Sequence, residues 1–102
     1  MISLIEQKRK NIAEHCRRLN VKRLDVFGSA VSGNFNFNDS DLDFIVEFDY
    51  HDKLDLLRRY LDLAENLETL FNRKVDLLTT GSIKNPVFRA NVEAAKENIY
   101  AS

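Results

Sequence analysis

Residues 26–46 read VFGSAVSGNFNFNDSDLDFIV, and two features of that stretch are suited to chemistry. Asp41 and Asp43 alternate with the apolar Leu42 and Phe44, the pattern of a β-strand, so both carboxylates leave the same face. Two carboxylates held this close repel each other unless a positive charge lies between them. A hard divalent cation bound through oxygen is the usual solution. Gly28-Ser29, at the end of an apolar run, supplies the complement. Without a Cβ, Gly28 lets a phosphate approach the backbone, and the Ser29 hydroxyl and nearby amides can donate hydrogen bonds to its oxygens. A phosphate cradle beside a carboxylate pair fits metal-assisted nucleotidyl transfer. A third carboxylate, Asp76, lies within the apolar run KVDLL. A lone Asp in such a strand is costly to bury without partners, which is a physical reason to place it beside Asp41 and Asp43.

These residues need elements to hold them. Ser3 and Glu6 have capping-box spacing and Leu4, Ile5, Ile12, Cys16 and Leu19 recur at helical intervals, predicting a first helix over 4–19 that stops near Asn20, a residue tolerant of a left-handed cap. Residues 23–27 read as a strand delivering Gly28-Ser29, followed by a helical turn from Ser29 to Gly33 whose first amides point at a phosphate. Residues 34–40 read as a loop bearing Phe35 and Phe37, placed either to stack on a base or partner or to cover a core edge. Asp39, alone in that loop, reads as turn chemistry. Residues 41–48 form the second strand, with Leu42, Phe44, Val46 and Phe48 on the core face and Asp41, Asp43, Ile45 and Glu47 on the other.

A long helix is predicted over 52–72 with Asp52 as N-cap. Leu54, Leu57, Leu61, Ala64 and Phe71 form its core stripe. Leu56, Tyr60, Leu63, Leu67 and Leu70 widen the apolar arc to about 200°, twice what packing on one sheet face requires. The excess, Leu56, Leu63 and Leu70 above all, is expected either at a protein interface or sunk in the core. Residues 73–79 are the third strand. Asn85 and Pro86 suit the N-cap and first turn of a last helix with Phe88, Val92, Ala95 and Ile99 as its apolar stripe. Lys84 and Arg89, near its start, are surface positions unless they reach a phosphate chain. The fold class expected is α/β (α+β): a small mixed sheet flanked by helices.

The combination Gly28-Ser29, a spacer, Asp41-x-Asp43 and a later Asp76 resembles the nucleotidyltransferase superfamily, and the short chain resembles its minimal branch, the MNT proteins. The likeness covers essentially the whole chain, as a single domain over 1–102. Three departures stand out. The spacer 30–40 is one residue longer than the commonest form, Ser32 stands where many relatives carry a phosphate-contacting Arg, and Phe35 and Phe37 occupy a usually more polar loop. The resemblance implies ATP bound through Gly28 and Ser29, and two Mg²⁺ held by Asp41, Asp43 and Asp76, with Asp76 also placed to take the proton of the attacking hydroxyl. MNT proteins are commonly encoded beside HEPN proteins, so it further implies an antitoxin that transfers AMP to a tyrosine of its HEPN toxin. The alternatives are an antitoxin that only masks its toxin, or transfer to a small molecule or nucleic-acid end.

Composition narrows the classes. With 102 residues, 44% hydrophobic and 30% charged, the chain suits one globular domain with a modest core, too short for an added specificity domain, so a partner is expected to help hold the substrate. No apolar run approaches the roughly 20 residues of a membrane span, and a cytoplasmic protein is expected. Cys16 is the only cysteine, which excludes an internal disulfide and a multi-cysteine zinc site, and it reads as packing. His15 and His51 lack motif context and read as surface or packing residues. Seven of the fifteen Lys and Arg precede Leu24, whereas residues 39–68 carry ten acids and three bases. The chain therefore has two electrostatic faces, but a pI near 6.1 argues against a dedicated nucleic-acid binder.

Overall fold

A computed structural model describes residues 3–32, 41–49 and 55–102. Four strands, β1 (Val21–Phe27), β2 (Leu42–Phe48), β3 (Val75–Thr79) and β4 (Glu97–Ala101), form one mixed sheet in the order β3-β2-β1-β4. β1 is antiparallel to both β2 and β4, while β2 and β3 are parallel. Helices α1 (Ser3–Gln7), α2 (Arg9–Arg18) and α4 (Leu56–Phe71) cover one face; α3 (Ser29–Ser32) follows β1, and α5 (Pro86–Ala95) accompanies the other face. Gly33, residues 34–40 with Phe35, Phe37 and Asp39, and residues 50–54 with His51, Asp52 and Leu54 lie outside the described residues, as do the side chains of Ser29 and Ser32.

Strand alternation builds the main core. Leu24 and Val26 of β1, Leu42, Phe44, Val46 and Phe48 of β2, and Val75 and Leu77 of β3 meet Ile5, Ile12, Cys16, Leu63, Leu67 and Phe71. Phe44 and Phe71 stack with ring centroids 6.1 Å apart. Each fully buried side chain of this size contributes about 1.5–3 kcal/mol. Burial pushes the Cys16 thiol up to about 12, so it packs as an inert apolar group, as expected. The opposite face is not left wholly to chemistry: Phe27, Ile45, Ile83 and Val92 make a second, smaller core.

Four elements depart from expectation. The first helix is broken at Lys8 (φ −105°, ψ 8°) into α1 and α2, although Asn20 does take the left-handed conformation (φ 54°). β1 begins at Val21, two residues early. The N-cap described for α4 is Asp55, whose carboxylate accepts from the amides of Leu57 (3.0 Å) and Arg58 (3.4 Å). Helix α4 is also rotated from the predicted phase: Leu57 and Leu61 are exposed, and Leu63 is fully buried. The reason is Arg59, 4% exposed, whose Nε donates to Leu19 O (2.8 Å) and whose Nη2 donates to Asn20 O (2.8 Å) and Asp49 O (3.2 Å). Its guanidinium lies 4.9 Å from the Phe48 ring centroid. A polar residue leads the inward stripe 59, 63, 67, 71, and a pattern of apolar residues alone cannot reveal that.

The last departure is at the C-terminus. Asn85 caps α5 as expected, accepting from Val87 and Phe88 amides, but the helix ends at Ala95, and Ile99 belongs to β4 rather than to a helical stripe. Lys96 is extended (φ −71°, ψ 148°), and the chain then pairs with the otherwise open edge of β1.

Candidate active site

β1 ends at Phe27, whose partner across the β1–β2 ladder is Asp43; the partner of Asp43 across the β2–β3 ladder is Asp76. Directly opposed residues share a face, so one row across three strands reads Phe27, Asp43, Asp76. Gly28 follows at once with φ +74°, in the left-handed region, and a Cβ there would run into Oδ2 of Asp43. Glycine is thus favoured by its left-handed conformation, and it leaves a seat for the Asp43 carboxylate, which a Cβ would force to turn aside, a neighbour that the motif alone does not disclose.

The chain around this row is pinned locally. The amide of Val31 donates to Gly28 O (3.1 Å), closing the turn that opens α3 at Ser29, as predicted. The amide of Leu42 donates to Lys74 O (3.3 Å), which fixes where β2 and β3 start side by side. Asp41 immediately precedes β2 and is exposed. Asp76 is exposed too, because β3 is an edge strand. The register of the parallel pair brings it to Asp43, and not the need of a buried charge for company. Lys84 and Arg89 are exposed, as expected of surface positions.

Electrostatics single out Asp43. Its carboxyl is pushed up to about 6, first by burial and then by the negative charges of Asp76 and Asp41. Among the described residues no set of three His, Cys, Asp or Glu side chains is already gathered into a coordination sphere. The donors are hard oxygens, the local charge is in negative excess, and Gly28 keeps the approach open, so these residues fit a Mg²⁺ ion.

A second acid on this face escaped the sequence reading. Asp25, two residues before Phe27, is 2% exposed. It accepts from Arg23 Nε (2.9 and 3.1 Å) and Asn98 Nδ2 (2.9 Å), and it lies 3.4 Å from Lys96 Nζ. The available signal was an acid interrupting the apolar run at a position sharing its face with Phe27; Arg23 is a local partner, but Asn98 and Lys96 come from β4 and the end of α5, beyond the reach of local pattern.

Residues 9–99 match the nucleotidyltransferase domain family. The chain is 37% identical to a Methanocaldococcus jannaschii protein that carries a provisional protein-adenylyltransferase name, over 90% of this chain and 88% of that one. It is 33% identical to the protein adenylyltransferase MntA of Thermococcus cleftensis, over 83% of this chain and 79% of that one. In fold it is similar to a chain from the complex of tri-AMPylated Shewanella oneidensis HEPN toxin with MNT antitoxin, with a TM-score of 0.65 and 20% identity, over 96% of this chain and 73% of that one. Among the described residues no helix is long and apolar enough to cross a membrane.

Proposed function

From the premise that this chain belongs to the nucleotidyltransferase domain family, we propose that it is a Mg²⁺-dependent protein adenylyltransferase: an antitoxin that moves AMP from ATP to a tyrosine hydroxyl of a HEPN-family toxin. The observation that carries the reading is the row of Asp43 and Asp76 beside Gly28. The adenylyltransferase names of its relatives support the donor, and the AMPylated toxin in the Shewanella complex supports the acceptor.

In this reading residues 1–102 act as one minimal domain. Gly28 and the Ser29 turn receive the phosphates; Asp41, Asp43 and Asp76 hold one or two Mg²⁺. Bound there, the ions neutralise triphosphate charge and lower the pKa of the attacking hydroxyl. The tyrosine oxygen forms a bond to the α-phosphorus as the bond to pyrophosphate breaks, and exposed Asp76, open to an incoming acceptor, takes the proton. Asp43, partly buried and flanked by two like charges, is the carboxylate with most to gain from a cation.

The test is intact-mass measurement of a HEPN-family protein, and of whatever protein the neighbouring gene of this chain encodes, after incubation with the chain, ATP and Mg²⁺. AMP-sized increments are expected, falling at least about a hundredfold in rate with Asp43→Asn. Increments unaffected by Asp43→Asn would remove the assigned site. A stable complex without increments would favour an antitoxin that only masks its toxin.

A further inference from the structure

The two edges of the sheet, β3 and β4, are finished differently. The Leu42 amide donates to Lys74 O, so residues 74, 76 and 78 turn their backbone groups towards β2, and Val75, Leu77 and Thr79 turn theirs outward. Each outward position has a side-chain partner. The Val75 amide donates to Glu68 Oε2 (3.3 Å), Tyr60 Oη donates to Leu77 O, and Ser82 Oγ donates to Thr79 O (2.8 Å). The protein thus closes the β3 edge against pairing with another strand. At β4 the Ser102 amide donates to Lys22 O (3.0 Å), so Tyr100 also faces β1, while Ile99 and Ala101 turn N–H and C=O outward. Among the described residues no side chain bonds the backbone of Ala101. Ile99 O accepts at 3.4 Å from Nη1 of Arg9, a half-exposed side chain that an incoming amide can displace.

Beside this edge a groove of about 600 Å³ runs between β4 and α2. Lys10, Ala13 and Arg17 recur at helical spacing along one wall, and the small Ala13 leaves a hollow between the two bases. Ile99, Tyr100 and Ala101 line the other wall. Lys10 and Arg17 are exposed and have no carboxylate partner among the described residues, whereas Glu6, the acid in the lining, is bonded to Arg9 at 2.9 Å. We propose that β4 and this basic groove receive an extended, acidic segment of a partner protein as an added strand of the sheet. An open strand edge presents both donors and acceptors, which an extended peptide backbone matches. A phosphodiester chain presents acceptors and would leave the outward C=O groups unpaired. Pairing β4 with a second copy about a two-fold axis would set Lys10 and Arg17 against their own equivalents. Acids at alternate positions of the incoming strand share one face, the face that meets α2. The site is two strands from Asp43, and the carboxylate row leaves the opposite face of the sheet, so the proposal stands apart from adenylyl transfer.

The probe is a fluorescein-labelled decapeptide in which Glu alternates with Val and Thr, titrated with the full chain by fluorescence anisotropy while amide hydrogen exchange of Ile99 and Ala101 is followed by NMR. Saturable binding with a Kd below about 1 mM is expected, together with slowed exchange at Ala101. The same peptide with Lys in place of Glu should bind at least about tenfold more weakly. Ala101→Pro removes an N–H that β1 does not use, so the melting midpoint should hold while affinity falls at least about tenfold. Lys10→Glu with Arg17→Glu changes exposed side chains of α2 and should weaken binding to a similar degree, the loss shrinking at high salt. Asp43→Asn should bind as the parent does. Absence of saturable binding, or binding that leaves Ala101 exchange unchanged, overturns the added strand. A single-stranded oligonucleotide that binds more tightly than the peptide through Lys10 and Arg17 overturns the choice of occupant, as does self-association of the chain that Ala101→Pro abolishes.

Discussion

Asp25 and Asp43 lie on the same face of adjacent strands, one row apart, and their surroundings are opposite. Asp25 is almost wholly buried, yet Arg23, Lys96 and Asn98 surround it with positive charge and donors. Asp43 is less buried, but burial and the negative charges of Asp76 and Asp41 raise its carboxyl to about 6. The depth of burial is therefore not what sets the two carboxylates apart. The difference is whether the fold itself supplies the counter-charge. At Asp25 it does, and the group holds β1 to β4 and the end of α5. At Asp43 the neighbouring charges are Asp76 and Asp41, so the fold supplies more negative charge instead of a counter-charge.

The comparison breaks most visibly at Asp25. Asp25→Ala leaves Lys96, whose side chain is 14% exposed, with only Glu93 at 2.9 Å, and frees Arg23 and Asn98 of their shared acceptor. A loss of about 3 kcal/mol is expected, the low end for a broken buried pair because Lys96 keeps one partner and Arg23 is half-exposed. Chemical denaturation should read it as a lower midpoint with unchanged slope. An unaltered midpoint would mean that the cluster is not holding the strands together.

Gly28→Ala should cost less stability, about 1–2 kcal/mol for a side chain forced to positive φ. Its larger consequence falls on Asp43, since the new Cβ meets that carboxylate. Weaker nucleotide binding in the presence of Mg²⁺ is expected, measured by calorimetry. Unchanged binding and unchanged melting would show that the seat is not confining.

A comparable stability effect, the sharpest in sign, falls on Asp43. A carboxyl raised from 3.8 to about 6 is destabilising in its charged form. Above about pH 6 the metal-free fold carries the full penalty; between there and the ordinary value near 4 the penalty shrinks, and below that the group is protonated in folded and unfolded chains alike. Unscreened, the rise corresponds to about 3 kcal/mol, and solvent around a partly exposed carboxyl reduces this to about 1–2 kcal/mol. Asp43→Asn should therefore melt higher than the parent at neutral pH without Mg²⁺, converge with it near pH 4, and lose much of its advantage when Mg²⁺ is added to both. A variant that melts lower at neutral pH would contradict the excess of negative charge.

How far the sequence reaches differs from element to element. Gly28, Asp41, Asp43 and Asp76 could be singled out as candidates from residue type and short spacing alone, and strand alternation placed Leu42, Phe44, Val46 and Phe48 in the core correctly. The rotation of α4 was not legible: apolar residues cover so wide an arc that several phases bury enough leucine, and the choice falls to Arg59, a charged residue that finds carbonyl oxygens on distant loops. Nor was β4, because 88, 92, 95 and 99 recur at helical spacing, and only the open edge of β1 makes an extended segment the better use of residues 97–101.

By itself, then, the sequence determined where β1, β2 and β3 lie to within a few residues, the glycine turn and three candidate carboxylates, since these follow from side-chain period and backbone permissiveness within a few residues. Only the tertiary structure decided that Asp76 stands opposite Asp43, that Gly28 makes room for that carboxylate, that Asp25 is neutralised while Asp43 is not, and which leucines of α4 face solvent. Each of those depends on register or counter-charge between segments far apart in the chain, where free energy is set by what the neighbouring element brings and not by the residue alone.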